Sequence, residues 1–324
     1  RTTVVGEDDA WLLPDRGAVN RVGLTGEVVE FVVGENVRDF TIRDVPWVPY
    51  PYEGRGGRSL DRISRNLMVR LWPCRTVLAA RSVFGKTLVD RNEPWWGHLE
   101  HYREKLRAPL SIAFAFVATH NHFVLDRGGK VFKQSAPVIK LPAGTSEREH
   151  FELLGVLNSS VACFWMKQAF QGKPSNGVKR GLESEGWTVR YEHDGTKLQA
   201  FPLPVGQQPV GMAERLDALA SERAEQQPTA IAGSATPTRA ALDAAWVESE
   251  RLFAEMVAAQ EELDWEGLPL YGLAEERLAV PEGLEAPPLK LGERAFEIVL
   301  ARRVAAGEVE TAWVSRHRST PITE

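Results

Sequence analysis

The sequence predicts a mixed α+β domain followed by a mainly α-helical one. Three observations carry this expectation. Short apolar runs punctuated by Gly, Pro and Asp fill the first two hundred residues, whereas Ala, Glu, Arg and Leu dominate after Phe201-Pro202-Leu203-Pro204. A chain of 324 residues also exceeds the usual size of one compact domain, so two apolar cores are expected. The change in composition puts the boundary near residue 207, dividing the chain into 1–206 and 207–324. An apolar fraction of 43% with 26% charged residues is ordinary for a globular protein and argues against wholesale disorder.

From Val28 to Val48 the apolar residues Val28, Val29, Phe31, Val32, Val33, Phe40, Ile42, Val45 and Trp47, broken by Gly34 and Asp44, predict two or three short strands. Three prolines among aromatics between Val45 and Tyr52 favour an edge, because proline supplies no ladder donor. Ser59–Val69 and Glu100–Arg107 read as short helices, and the apolar run from Leu110 to Val117 as a buried strand. Phe123–Leu125 and Val131–Phe132 flank Asp126-Arg127-Gly128-Gly129-Lys130, which predicts a tight hairpin.

Further along, Ser146 and Glu149 form a capping-box pattern ahead of Leu153, Leu154, Leu157, Val161, Phe164 and Trp165, predicting one amphipathic helix over Glu149–Ala169. Gly172–Gly186 has almost no apolar residues and predicts a long mobile loop. In the tail, Met212–Gln227 and a helix with Pro237 in its first turn and Leu242, Trp246, Phe253, Met256 and Leu263 along its apolar side predict a helical hairpin.

Several function classes drop out. The longest apolar run, Leu110–Ala118, is far shorter than the roughly 20 residues that cross a bilayer, so no membrane role is indicated. Cys74 and Cys163 stand alone, which suggests neither disulfides nor zinc and fits a reducing cytoplasm. No phosphate-binding P-loop and no nucleophile elbow is present. A Gly-rich methyl-donor turn and a polar-Pro-Pro-aromatic loop are also missing; Asp44-Val45-Pro46-Trp47 has valine where the first proline should stand. His120 and His122 would share a face on a strand, but with no acidic or cysteine neighbour a polar or nucleic-acid contact outweighs a metal site. No metal and no catalytic residue is therefore expected. The chain opens on Arg1 and is expected to be a piece of a longer polypeptide.

Charge is partitioned. Residues 1–53 carry 5 basic and 10 acidic side chains, residues 54–140 carry 16 and 6, residues 141–206 balance at 7 and 7, and residues 207–324 carry 11 and 21. An excess of ten positive charges between 54 and 140 suits a surface facing phosphates, although the same charges could equally pair with the acidic tail.

Three strings add to this picture: Ala118-Thr119-His120-Asn121-His122-Phe123-Val124-Leu125-Asp126-Arg127-Gly128-Gly129-Lys130-Val131-Phe132, Leu154-Gly155-Val156-Leu157-Asn158-Ser159-Ser160, and Gly195-Thr196-Lys197-Leu198-Gln199-Ala200-Phe201-Pro202-Leu203-Pro204. With the tail strings Gln260–Trp265 and Gly292–Arg302, they resemble the C-terminal half of the adenine-specific DNA methyltransferases of bacteriophage-exclusion systems, the phage growth limitation X family, particularly its type 2 branch. That resemblance implies a DNA target-recognition domain and a helical spacer. The S-adenosylmethionine-binding catalytic domain would then lie outside this chain, in the same or another polypeptide, and these residues would be inactive alone. The cofactor would belong to that domain and none to this chain. The Leu-Leu-x-x-Leu-Asn-Ser word would be structural.

On this reading the partner is double-stranded DNA, whose adenine methylation would mark host DNA as self. Base reading is expected from Lys133 and Gln134, from Lys173, Asn176, Lys179 and Arg180 in the open loop, and from His120 and His122. Phosphate contacts are expected from Arg55, Arg58, Arg81, Lys86 and Lys130, whose segments are basic. The rival reading is a protein-interaction module that docks other phage-defence components through the acidic helices, or a phage DNA-mimic inhibitor through the basic region.

Overall fold

A computed structural model describes residues 1–173, 186–206, 208–234, 236–281, 284 and 286–320. They divide into two compact units. Unit 1 comprises Arg1–Ala118, His122–His150 and His193–Gly195; unit 2 comprises Thr119–Asn121, Phe151–Glu192 and Thr196–Glu324. Both helices and strands are present and the C-terminal region is helical, as the sequence pattern predicts.

Unit 1 begins with β1 (Thr3–Val4), α1 (Asp8–Trp11) and α2 (Arg16–Arg21), followed by β2 (Val28–Val32), β3 (Val37–Arg38), β4 (Thr41–Ile42) and β5 (Trp47–Pro49). The proline-bearing β5 takes the edge of a three-stranded sheet in the order β12-β2-β5, where β12 is Lys130–Phe132. Side chains alternate across this sheet. Phe31 and Val131 enter a core with Trp11, Val19, Leu67, Leu71 and Leu78, while Val32 and Phe132 enter a second core with Val37, Ala113 and Val124. Each such buried apolar side chain contributes roughly 1.5–3 kcal/mol.

Helix α3 (Arg65–Leu71) starts where the Ser64 hydroxyl accepts from Leu67 N at 3.1 Å, so the Ser59–Val69 expectation is right in kind and begins late. After α4 (Arg75–Ala80) comes a small hairpin of β6 (Ser82–Val83) and β7 (Lys86–Thr87). The Glu100–Arg107 stretch is a strand and then a helix: β8 (Glu100–His101) pairs with β1, and only α5 (Arg103–Arg107) is helical. The run expected as one strand is β9 (Ser111–Phe114), a break, and β10 (Val117–Ala118).

The hairpin expected around Gly128-Gly129 does not form. β11 (Phe123–Asp126) pairs antiparallel with β9 in the order β11-β9-β13, where β13 is Val138–Ile139, whereas β12 pairs parallel with β2. The glycines do adopt the positive φ angles of a turn, 97° and 80°. They pass the chain between two sheets instead of folding it back on one, and beside β2 the side chains of Val131 and Phe132 join the two cores that Phe31 and Val32 enter.

Helix α6 (Glu147–Leu157) has the anticipated capping box: Ser146 N donates to Glu149 Oε2 at 2.7 Å and Glu149 N donates to Ser146 Oγ at 3.2 Å. The single helix expected to Ala169 is two, because Ser159 accepts from Ala162 N at 3.2 Å and starts α7 (Ser160–Ala169). In unit 2, β14 (Gly172–Lys173) pairs antiparallel with β15 (Arg190–Glu192). Short α8 (Gly195–Leu198) leads to α9 (Val210–Glu225), α10 (Pro228–Ser234), α11 (Arg239–Leu270), α12 (Ala295–Ala305) and α13 (Trp313–His317).

Helices α9 and α11 pack together, giving the expected helical pair; the Arg223 guanidinium lies 4.4 Å from the Phe253 ring. Thr238 is the cap of α11, so Pro237 stands just before the helix and not in its first turn. The buried stripe runs Ala245, Ser249, Leu252, Met256, Ala259, Leu263, a four-three alternation that places Trp246 on the exposed side.

Candidate nucleic-acid interface

The basic residues of unit 1 fall into three environments. The first is exposed. Arg55 and Lys86 both face solvent, and neither forms an ion pair among the described residues. Arg55 lies over the turn at Gly128, whose φ of 97° and lack of a side chain leave room for the guanidinium. Close by, the Lys130 ammonium bonds the Asp126 carboxylate at 3.3 Å and the Gly128 carbonyl at 3.3 Å, with Glu30 at 3.7 Å. Lys140, not anticipated from the sequence, joins this group. Burial draws its amine down to about 8, an effect opposed by Asp126 and reinforced by Arg55.

The second environment is paired and partly exposed. Arg58 bonds Glu53 at 3.1 Å. Lys133 forms a short ion pair with Asp8, and the Gln134 carbonyl accepts from Arg1 Nη1 at 3.1 Å. In unit 2, Lys173 on β14 is paired with Glu192 on β15. Such exposed pairs are weak, about 0–1 kcal/mol, so a phosphate can compete for the cation.

The third environment is the interior, and it removes Arg81 from the phosphate candidates. Arg81 is 6% exposed, and its guanidinium donates to the carbonyls of Leu78 (2.8 Å), Trp95 (2.9 Å), Gly97 (2.9 Å) and Val5. Burial pulls the guanidinium down to about 10. The group stitches three segments together and faces no solvent.

The histidine pair also separates. Residues 119–122 form a bend and coil, not a strand, so the premise of a shared face fails. His120 is exposed, with Nδ1 3.0 Å from Thr119 Oγ1; His122 is buried, with Nδ1 3.9 Å from Asp39. Among the described residues no group of three His, Cys, Asp or Glu is placed to hold a metal ion. Asn176, Lys179 and Arg180 lie outside the described residues.

Sequence reasoning missed the most concentrated aromatic cluster of unit 1. Tyr52 stacks on His101 with ring centroids 3.7 Å apart, and His98 lies edge-on to Trp11 and Tyr52 at 5.1 Å. The Tyr52 hydroxyl accepts from His98 N at 2.7 Å, and His98 Nε2 is 2.9 Å from the Pro49 carbonyl. Burial depresses His98 to about 3 and His101 to about 4, and raises Tyr52. The rings pack on one another and on Trp11 inside unit 1, with His98 bonded to the Tyr52 hydroxyl and the Pro49 carbonyl. The cluster's signal was present in the density of Tyr, Trp and His over 50–52 and 95–101.

In unit 2 the Leu154-to-Ser160 word is structural as anticipated. Leu154 and Leu157 are buried, Asn121 Nδ2 donates to the Leu157 carbonyl at 2.6 Å, and Gln260 Nε2 donates to the Asn158 carbonyl at 3.1 Å. Asp264 accepts from Ser160 N at 2.7 Å; burial raises its carboxyl to about 6 despite that bond.

A domain of unknown function, DUF7008, matches residues 256–324. The adenine-specific methyltransferase PglX of Streptomyces coelicolor is 44% identical over 328 residues, covering 99% of this chain and 27% of that protein. The chain thus spans about a quarter of the length of that relative and aligns with its C-terminal part. Among solved structures, the type IIL restriction-modification enzyme MmeI in complex with DNA matches with a TM-score of 0.46 and 13% identity, over 85% of this chain and 32% of that one. No described helix is long and apolar enough to cross a membrane.

Proposed function

We propose that this chain, a relative of the C-terminal part of the adenine-specific methyltransferase PglX, is the DNA-recognition and spacer portion of a site-specific adenine-N6 methyltransferase in phage defence. The observation that carries the reading is the 44% identity sustained across 99% of the chain. Residues 1–206 would hold the recognition domain and 207–324 the spacer. The methyl donor, S-adenosylmethionine, would bind in a separate catalytic domain, which also would receive the flipped adenine while this chain clamps the flanking duplex.

The positions of the basic side chains suit that division of labour. Arg55, Lys86, Lys130 and Lys140 present cations on unit 1, whose segment 54–140 carries ten excess positive charges. Arg58 would exchange its carboxylate for a phosphate, and Lys133 and Lys173 theirs for a base edge, at small cost. Lys133, Gln134, His120, Lys173, Asn176, Lys179 and Arg180 remain the base-reading candidates, since Arg or Lys can grip guanine and Asn or Gln adenine. His122 is too buried to read a base without rearrangement.

Fluorescence anisotropy of duplex DNA against salt tests the proposal. Affinity should fall steeply with salt. A variant with Lys173, Lys179 and Arg180 changed to Ala should bind less tightly. Absence of binding at low salt, together with capture of another phage-defence protein by the acidic helices, would favour the interaction module.

A further inference from the structure

Between Arg62 and Val89 the chain carries six basic side chains and no acidic one; Arg81 is turned inward, while Arg62, Arg65, Arg75 and Lys86 are exposed and Arg70 half-buried. Within this stretch the β6–β7 hairpin turns on two residues, Phe84 and Gly85, with Ser82 opposite Thr87 and Val83 opposite Lys86. Both turn residues have positive φ, 51° and 77°. A tight turn of this kind favours Asn, Asp or Gly at its first central position. A bulky aromatic there is a backbone outlier that other forces must hold in place.

Among the described residues none packs on the phenyl ring. Phe84 has a relative exposure of 101%, so the ring buries no surface. The hairpin under it is well anchored. Arg81, the residue before β6, is bonded to carbonyls of three separate segments. On the other side, Thr87 N and Oγ1 donate to Asp90 Oδ2 at 2.9 and 2.8 Å. Asp90 is the nearest acid in sequence, and its carboxylate is held by Thr87 at the root, while Lys86 is exposed beside the tip. A strained turn thus presents a solvated aromatic ring from a fixed base within a cationic segment.

We propose that Phe84 is a wedge that inserts between adjacent base pairs of duplex DNA, with Lys86 engaging a flanking phosphate. The inference rests on the recognition reading above and adds to it a residue that opens the stack. Duplex DNA fits because the tip offers an apolar plane for bases and a cation for the backbone, the combination by which protein side chains unstack a step. Opening a step beside a target adenine would lower the cost of moving that base out of the helix. The turn geometry explains the choice of a hairpin: a ring carried on a two-residue loop projects beyond both strands.

The test measures binding of the full chain to two fluorescein-labelled duplexes, identical except that one has a single abasic site, where part of the unstacking is already done. Wild-type chain should bind the abasic duplex about fivefold or more tightly. Phe84→Asn, which gives the turn a residue it prefers, should match or exceed the wild-type thermal midpoint and lose the preference, while Phe84→Trp keeps it. The salt slope should persist in Phe84→Asn, because Lys and Arg set it. A preference that survives in Phe84→Asn overturns the wedge, as does wild-type binding with a steep salt slope but equal affinity for both duplexes; in both cases the recognition reading stands. No binding to either duplex at low salt overturns both.

Discussion

Replacing Arg81 by methionine removes a buried guanidinium while keeping most of the volume of its stem. The carbonyls of Leu78, Val5, Trp95 and Gly97 then lose their donor in a site that is 6% exposed. Each buried polar group left without a partner costs about 1–3 kcal/mol, but the four share one donor and their losses do not add. Relief of the guanidinium's own desolvation, visible in its depression to about 10, offsets part of the loss. The net expectation is about 3–5 kcal/mol of destabilisation, the usual result of deleting one member of a buried charged network. Urea unfolding followed by tryptophan fluorescence reads this as a lower midpoint for unit 1 at unchanged slope, and Arg81→Lys should lie between. A loss below about 0.5 kcal/mol, accompanied by a DNA salt slope reduced by about one, would refute the assignment and return Arg81 to the phosphates.

Other outcomes follow from the same structure. His98 and His101 are depressed by burial to about 3 and 4, below the ordinary 6.5, so their stabilising contribution is complete above pH 6.5 and is lost as pH falls toward 4; an acid titration of stability should show His98→Gln flattening that drop. Asp264 is raised to about 6, which favours folding below its ordinary 3.8 and costs stability as pH rises through 6, so Asp264→Asn should unfold at a higher temperature at pH 7.5 and show little difference at pH 4. Lys140, drawn down to about 8, should lend its charge to DNA binding at pH 7 and lose it by pH 9; the salt slope should shrink over that range in the wild type and hold in Lys140→Arg. Gly128→Ala should destabilise the chain by about 1 kcal/mol or more through its φ of 97°, and should weaken DNA binding through the displaced Arg55, measured by anisotropy.

Local chemistry was the most legible layer of the sequence. Ser146 with Glu149 reads as a capping box and is one, and Pro46, Pro49 and Pro51 mark an edge that β5 occupies. What failed was partner choice. Gly128-Gly129 reads as a hairpin because strand pattern is periodic along the chain, yet pairing is decided by which apolar faces meet, and β2, a hundred residues earlier, wins. The helix break at Ser159 was missed because apolar periodicity continues across it; the Ser159 cap on Ala162 N marks it, and bonds from Asn121, Gln260 and Asp264 hold the chain there. For the site, the basic segment between 54 and 140 was visible as a count. Which of its members point inward was not, since Arg81 and Arg55 are identical letters in similar surroundings and differ only in what the fold brings over them. Phe84 carried a signal in hindsight: an aromatic before glycine, between Ser82 and Lys86, where a turn favours Asn.

The parallel pairing of β12 with β2 sets the order in which the chain can be built. Phe132 lies opposite Val32, and the Thr2 amide donates to the Phe132 carbonyl at 2.9 Å, so these early segments find that one neighbour only after a hundred further residues exist, although β5 is available sooner on the other side of β2. At a synthesis rate of roughly 5–20 residues per second, that is a delay of about five to twenty seconds during which β2 presents an unpaired edge. Ten acidic side chains lie among residues 7–53, and charge of this kind blunts an exposed strand edge against pairing with another copy.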